Sequence, residues 1–213
     1  MADNDRVQEL DLTVGSIFTT RPEEDRELYE DEREWLESIQ DLLREEGVEA
    51  DLLSRPGVEV WEGGIDRFAD LYQLRLLAAY LEQGRDIAPL LSPDFDLDEE
   101  PDELLTQIWE GEVSTRFPHL LNHQAEGGYY LPVEFAEPIW LEFDPEDPDD
   151  ADDLTDRVVS FGSSVALQRE LAELQPLLQQ AGVPANAPAM RCLRVLKEAA
   201  DQSVANDLPI IIW

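Results

Sequence analysis

Two histidines, His119 and His123, are the residues of this chain whose spacing most directly suggests chemistry. They stand four positions apart, and on a helix this spacing places both imidazoles on one face, within reach of a single Zn²⁺ or similar ion. Glu126 could add a carboxylate ligand. Leu120 stands where zinc proteases carry a glutamate, so that enzyme pattern is not met. A metal-dependent enzyme with His119 and His123 as ligands is therefore one hypothesis, and no other cofactor is predicted.

Three aspartates, Asp94, Asp96 and Asp98, alternate like the first ligands of a calcium-binding EF-hand loop. Such a loop needs glycine at its sixth position and glutamate at its twelfth. This chain has Glu99 and Leu105 at those positions, so an EF-hand is excluded.

A glycine and two serines, Gly162, Ser163 and Ser164, match the start of a nucleophile elbow. The second glycine of that motif is missing, and a serine at this point is typical of a helix N-cap. We therefore predict that Ser163 or Ser164 caps a helix. The single cysteine, Cys192, lies among apolar residues with helical spacing and is predicted to be a small buried side chain.

The charge of the chain limits its function more than any motif does. Its 213 residues include 50 Asp and Glu against 15 Lys and Arg, a formal net charge of -35. This excess excludes a surface that binds nucleic acid by neutralising phosphates, and it excludes electrostatic attachment to an anionic membrane. A basic protein is the partner that this charge favours.

Two acidic segments, 92–103 and 144–156, are the candidate partner-binding loops. Proline and like-charge repulsion favour an extended, exposed chain in the second segment. The predicted partner-binding residues of the two loops are Asp94, Asp96, Asp98, Glu99, Glu100, Asp147, Asp149, Asp150, Asp152 and Asp153. The many carboxylates of residues 22–46 are interpreted instead as the solvated outer face of an amphipathic helix.

The hydrophobic pattern predicts an α+β fold, with a small mixed or antiparallel sheet packed with about five helices. A strand is expected at 10–20, a helix after Pro22, and a short strand at 58–61, followed by a break at Gly63 and Gly64. The apolar end, 208–213, is expected to be docked in the sheet because a free strand of this kind would aggregate. We expect one domain over 1–213, with 144–156 as the place where two lobes would divide.

The chain shows no secretory signal pattern and no apolar run of the roughly 20 residues needed to span a bilayer. With its single cysteine it cannot form an internal disulfide. We therefore predict a cytoplasmic protein without membrane association. The sequence does not indicate an oligomeric state.

Three functions are compatible with these observations. The favoured one is a non-enzymatic interaction protein that binds and inhibits a basic partner, by analogy of charge with immunity proteins and nucleic-acid mimics. The second is a structural or assembly component with a salt-adapted surface, since Lys197 is the only lysine. The third is the metal-dependent enzyme. An interaction protein should cluster its acids on one face beside exposed aromatics such as Trp61, Trp109 or Trp140, whereas salt adaptation should spread them evenly.

Overall fold

The computed structural model describes residues 9–92, 95, 101–124, 127–142 and 158–213, and within them the chain forms six strands and six helices. In chain order these are β1 (Leu10–Gly15), α1 (Arg26–Glu45), β2 (Glu59–Ile65), α2 (Phe68–Glu82), α3 (Glu103–Trp109), α4 (Pro118–Leu121), β3 (Gly128–Leu131), β4 (Ile139–Glu142), β5 (Val158–Ser163), α5 (Ser164–Gln180), α6 (Pro188–Asn206) and β6 (Ile210–Ile212).

All six strands belong to one mixed sheet with the order β2-β1-β6-β3-β5-β4. The pair β3–β5 is parallel and the other neighbouring pairs are antiparallel. The terminal strand β6 lies between β1 and β3, which confirms that the apolar C-terminal segment is docked. The predicted α+β class is confirmed, with six helices where about five were expected.

Each face of the sheet carries its own hydrophobic core, because successive residues of a strand point to opposite faces. In β6, Ile210 and Ile212 pack on the face covered by α2, α5 and α6, whereas Ile211 packs on the other face. Helix α1 covers that second face with Leu36, Ile39 and Leu43. The helices α5 and α6 therefore lie on the opposite side of the sheet from α1.

Local sequence explains where α1 begins and ends. The side chain of Asp25 accepts hydrogen bonds from the N–H groups of Glu27 and Leu28, as an N-cap does. Gly47 follows the helix with a φ of +83°, a left-handed conformation that glycine adopts without a steric penalty. The predicted helix after Pro22 is thus present and bounded by ordinary capping residues.

Two expectations about the strands were wrong. Gly63 and Gly64 do not break the chain but lie within β2. The ring of Trp61 covers Gly63, where an added Cβ would lie 2.3 Å from the ring atom Cη2, so glycine makes room for the indole. The first strand ends at Gly15 and does not continue to residue 20.

Among the described helices, none is both long and apolar enough to cross a membrane.

Candidate partner-binding surface

Residues 23–51, which include α1, hold the densest charge in the described part of the chain. They contain fourteen carboxylates and three arginines, a formal net charge of -11. Every one of these carboxylates except that of Glu32 belongs to an exposed residue. We call the exposed carboxylates of residues 23–51 the acidic face.

The spacing of carboxylates along α1 approaches that of phosphates along one strand of DNA. The helix has 20 residues, eight of them acidic, and so spans about 30 Å with about one carboxylate per 4 Å of axis. A strand of B-DNA presents one phosphate per roughly 3.4 Å. Five of the eight lie three, four or seven positions apart, which keeps them on one ridge of the helix: Glu27, Asp31, Glu34, Asp41 and Glu45.

The arginines of α1 neutralise only part of this charge. Arg26, Arg33 and Arg44 each form an exposed ion pair one helical turn away, with Glu30, Glu37 and Asp41. Exposed pairs of this kind contribute little to stability. Carboxylates that remain one turn apart repel each other and destabilise a helix. The charge density of α1 therefore exceeds what folding of the helix requires.

Glu32 is the one carboxylate of α1 that has a structural role. It accepts hydrogen bonds from the backbone N–H of Thr19 at 2.8 Å, the hydroxyl of Thr19 at 2.9 Å and the N–H of Thr20 at 2.9 Å. Partial burial opposes its charge, but the hydrogen bonds from Thr19 and Thr20 outweigh burial and lower its pKa. Glu32 thus fixes the start of the helix to the segment after β1.

The helices α5 and α6, on the opposite side of the sheet from α1, carry no comparable charge. Residues 164–206, which span α5 and α6, contain four carboxylates and four cations and have a formal net charge of zero. The acids of the described chain are therefore distributed asymmetrically, with residues 23–51 strongly anionic and residues 164–206 neutral.

The two predicted metal ligands are both buried, and His119 is fully engaged by the protein. Its Nδ1 accepts a hydrogen bond from the Ser163 N–H at 3.0 Å, so its Nε2 carries the proton that is donated to the carbonyl of Phe135, also at 3.0 Å. Burial lowers the pKa of His119 and favours this neutral form. Its backbone N–H, together with that of Leu120, donates to the buried carboxylate of Glu170.

The ring of His123 is stacked on that of Tyr130, with centroids 3.9 Å apart. Its Nδ1 lies 2.7 Å from the carbonyl oxygen of Gln124, and its Nε2 lies 3.0 Å from that of Tyr129 and 3.2 Å from the hydroxyl of Ser160. Burial lowers the pKa of His123 to about 3, so the ring is neutral at physiological pH.

These contacts leave no ring nitrogen of His119 or His123 without a protein partner. Among the residues with a described position, no group of three or more His, Cys, Asp or Glu side chains is placed to hold a metal ion. The metal-binding role of His119 and His123 stays a prediction, and the hydrogen-bond geometry does not support it. The enzyme hypothesis gains no support from these contacts either.

A cavity of about 510 Å³ opens beside His123 and does not include His119. Four aromatic side chains from two helices and a strand line it: Phe68 and Tyr72 of α2, Trp109 of α3 and Trp140 of β4. Trp109 and Trp140 are 43% and 49% exposed, whereas Trp61 is partly buried. The indole N–H of Trp109 donates to the carbonyl of Leu121, which fixes the ring.

Comparison with known proteins connects the charge to a family. The family model described as "Putative DNA-mimic protein" matches residues 8–212, nearly the whole chain. The chain belongs to this family. Searches of curated proteins and of solved structures found no significant match. Membership in the DNA-mimic family fits an acidic protein that interacts with a basic partner, which is the coarser part of the favoured hypothesis.

The partner-binding residues predicted from the two acidic loops lie outside the described residues. This holds for Asp94, Asp96, Asp98, Glu99 and Glu100 of the first loop and for Asp147, Asp149, Asp150, Asp152 and Asp153 of the second. Their role in this DNA-mimic family member stays a prediction. Of segment 92–103, Asp102 is described, and its side chain caps α3 by accepting from the N–H groups of Leu104 and Leu105.

The sequence interpretation assigned the acids of α1 to a solvated helix face, which agrees with their exposure, and did not consider them as a partner-binding surface. The signal was available in the counts, because residues 23–51 are strongly acidic while residues 164–206 balance their charges. The missing information was that these two segments lie on opposite sides of one sheet.

Proposed function

We propose that this member of the DNA-mimic family binds a basic, DNA-binding protein through the acidic face and inhibits it by occupying its DNA site. The observation that carries the proposal is the concentration of charge at the acidic face, with -11 over residues 23–51 against zero over residues 164–206. Family membership supports the same class of partner.

The physical basis is substitution of carboxylates for phosphates. DNA-binding sites present Lys and Arg that contact phosphate oxygens, and those contacts position the protein without reading sequence. A ridge of carboxylates mostly one helical turn apart, on a helix whose total density of acids is close to that of phosphates, can engage several of these cations at once. The resulting association should be fast and should weaken as salt screens the charges.

The salt-adaptation alternative accounts less well for this distribution. Carboxylates that only hold water and cations at the surface are expected to be spread evenly over the whole surface. The balanced charges of α5 and α6 do not follow that expectation. The acids of loops 92–103 and 144–156 remain part of the proposal as additional partner contacts, and a cytoplasmic location, where DNA-binding proteins act, is part of it too.

Capture of the partner tests the proposal. The immobilised protein is incubated at low salt with an extract of the cells that produce it, and the captured proteins are challenged with duplex DNA. One variant carries Asp31→Asn, Glu34→Gln and Glu45→Gln on the acidic face. The matched control carries Glu59→Gln, Glu62→Gln and Glu198→Gln, which remove the same charge from exposed residues elsewhere.

We expect a basic DNA-binding protein to be captured by the wild type and by the control, to be released by duplex DNA, and to be lost in the acidic-face variant. Capture that duplex DNA does not reverse would contradict the proposal. So would equal loss of capture in the acidic-face variant and the control, because that result would make the total charge decisive and not its placement.

A further inference from the structure

The cavity beside His123, which we call the aromatic cavity, has no role in a function that only places carboxylates where a partner binds phosphates. Its volume, about 510 Å³, lies within the range of specific ligand sites. Aromatic rings at the rim of a pocket are typical anchors of protein interfaces. The residues that line the cavity determine which group of a partner it can receive.

The lining favours a flat cation. Trp is the aromatic side chain that attracts cations most strongly through its ring face, and two exposed Trp, Trp109 and Trp140, stand at this cavity. The carboxylate of Glu137 also lines it, and partial burial raises the pKa of this group, so a nearby positive charge would favour its ionised form. A guanidinium combines the planarity that stacks on indoles with a charge for Glu137.

The cavity also presents an acceptor that lacks a donor. The side-chain oxygen Oδ1 of Asn122 is buried at the cavity, and no described residue donates a hydrogen bond to it. A guanidinium has five N–H donors in a fixed plane. A ligand that brings N–H groups would therefore satisfy an atom whose burial without a partner destabilises the structure.

The side chain of Arg75 already lines the cavity, and its position limits where the guanidinium of a partner can bind. Arg75 is 4% exposed, and its Nη2 donates to the backbone carbonyl of His123 at 2.8 Å. Repulsion from Arg75 keeps an incoming cation away from that part of the lining. The exposed rings of Trp109 and Trp140, with Glu137, are then the preferred position.

The cavity is continuous with the acidic face. A neighbouring depression of about 390 Å³ shares Glu137, Pro138 and Trp140 with the cavity and extends to Glu46, directly after α1. A partner lying along the acidic face can therefore reach the cavity with one side chain.

We infer that the cavity receives the guanidinium of an arginine from the basic partner, stacked on Trp109 and Trp140 and paired with Glu137. The inference rests on the proposed function, since it places one side chain of that same partner. It adds a preference for arginine over lysine, which the acidic face alone does not supply, because carboxylates attract both cations.

Two peptides of equal charge test the inference, Lys-Lys-Arg-Lys-Lys and penta-lysine. Their dissociation constants are measured at low salt by NMR titration, with the Trp indole N–H signals as the readout. We expect the arginine peptide to bind roughly fivefold more tightly and to shift the Trp109 and Trp140 signals. Trp140→Leu and Glu137→Gln should each reduce this preference. The control is Trp35→Leu, which removes an indole that is 40% exposed on α1 and should leave the preference unchanged.

The possible results separate the two proposals. Equal affinity for the two peptides, or a preference that persists in Trp140→Leu and Glu137→Gln, overturns the cavity inference. If the peptides then still bind and the acidic-face variant weakens both, the acidic-face proposal stands without the cavity. If neither peptide binds at low salt, both proposals fail.

Discussion

Gly162 shows at the residue scale how the buried rings beside the cavity are accommodated. It lies in β5, and an added Cβ would be 2.4 Å from Cδ1 of Tyr130 and 2.9 Å from Cδ2 of His123. Those two rings are stacked on each other, so neither can move without displacing the other. The absence of a side chain at this position allows the stack to lie flat against the sheet.

We expect Gly162→Ala to destabilise the protein by about 1–3 kcal/mol, the usual effect of overpacking a core. Urea denaturation followed by circular dichroism measures this difference. Gly64→Ala is the matched control, because an added Cβ there would meet its nearest atom at 3.5 Å, an ordinary contact. Equal stability of Gly162→Ala and wild type would show that the stack is not as tightly packed as described.

The buried carboxylate of Glu170 makes stability depend on pH. Burial raises its pKa to about 8, although the N–H groups of His119 and Leu120 that donate to it act in the opposite direction. Because the folded pKa lies above the ordinary value of 4.5, its stabilising contribution is complete below pH 4.5 and is lost as pH rises through 8.

Glu170→Gln removes this titration and keeps the size of the side chain. We expect its unfolding free energy, relative to that of wild type, to increase between pH 5 and pH 8 by an amount on the order of 3 kcal/mol. Urea denaturation at pH 5, 6, 7 and 8 in constant salt gives the comparison. Parallel curves for the two proteins would mean that Glu170 titrates normally.

At the scale of elements, α1 combines a small apolar contact with a large surface charge. Leu36, Ile39 and Leu43 attach it to the sheet, and its carboxylates repel one another along the outer ridge. Because of this repulsion, we expect α1 to be less stable than the same helix with uncharged side chains at these positions. Function would then be maintained at the expense of stability, as in many binding sites.

The variant with Asp31→Asn, Glu34→Gln and Glu45→Gln should therefore be more stable than wild type at 10 mM salt, by about 0.5–1.5 kcal/mol. Screening at 1 M salt, where the Debye length is about 3 Å, should remove most of the difference. Thermal denaturation at the two salt concentrations measures both effects. A variant that is less stable than wild type at low salt would contradict the view that these carboxylates oppose folding.

The elements show how far the sequence alone could predict this molecule. Helix α1 and the docked strand β6 follow from apolar spacing, and the N-cap Ser163 and the buried Cys192 were also predicted correctly. The course of β2 through Gly63 was not predictable, because the ring of Trp61 that covers this glycine is known only from the structure.

The candidate site was harder to predict than the elements. Its cavity is lined by residues that lie more than seventy positions apart in the chain, such as Phe68 and Trp140. The fold brings these residues together, and nothing in the sequence around each of them indicates that they line one cavity. The surroundings of the histidine pair were hidden for a similar reason, since the helical spacing of His119 and His123 does not reveal the carbonyl groups that face their rings.

At the scale of the whole molecule, α1 differs sharply in charge from α5 and α6 on the other side of the sheet. Residues 23–51 carry -11 on one side, and the helices α5 and α6 on the other side are neutral. Within the net charge of -35, this difference gives the molecule an orientation in the field of a basic partner. The rate of association with the partner should therefore fall steeply as ionic strength rises. In the first encounter, the acidic face should be the surface that contacts the partner.

Displacement of DNA tests this central claim most directly. The captured partner is bound to a fluorescent duplex, and wild type, the acidic-face variant and the matched control are titrated as competitors. We predict that wild type and the control displace the duplex at similar concentrations, and that the acidic-face variant requires at least about tenfold more, as expected when several phosphate-like contacts are lost. Equal displacement by all three proteins would contradict the claim that the acidic face takes the place of DNA.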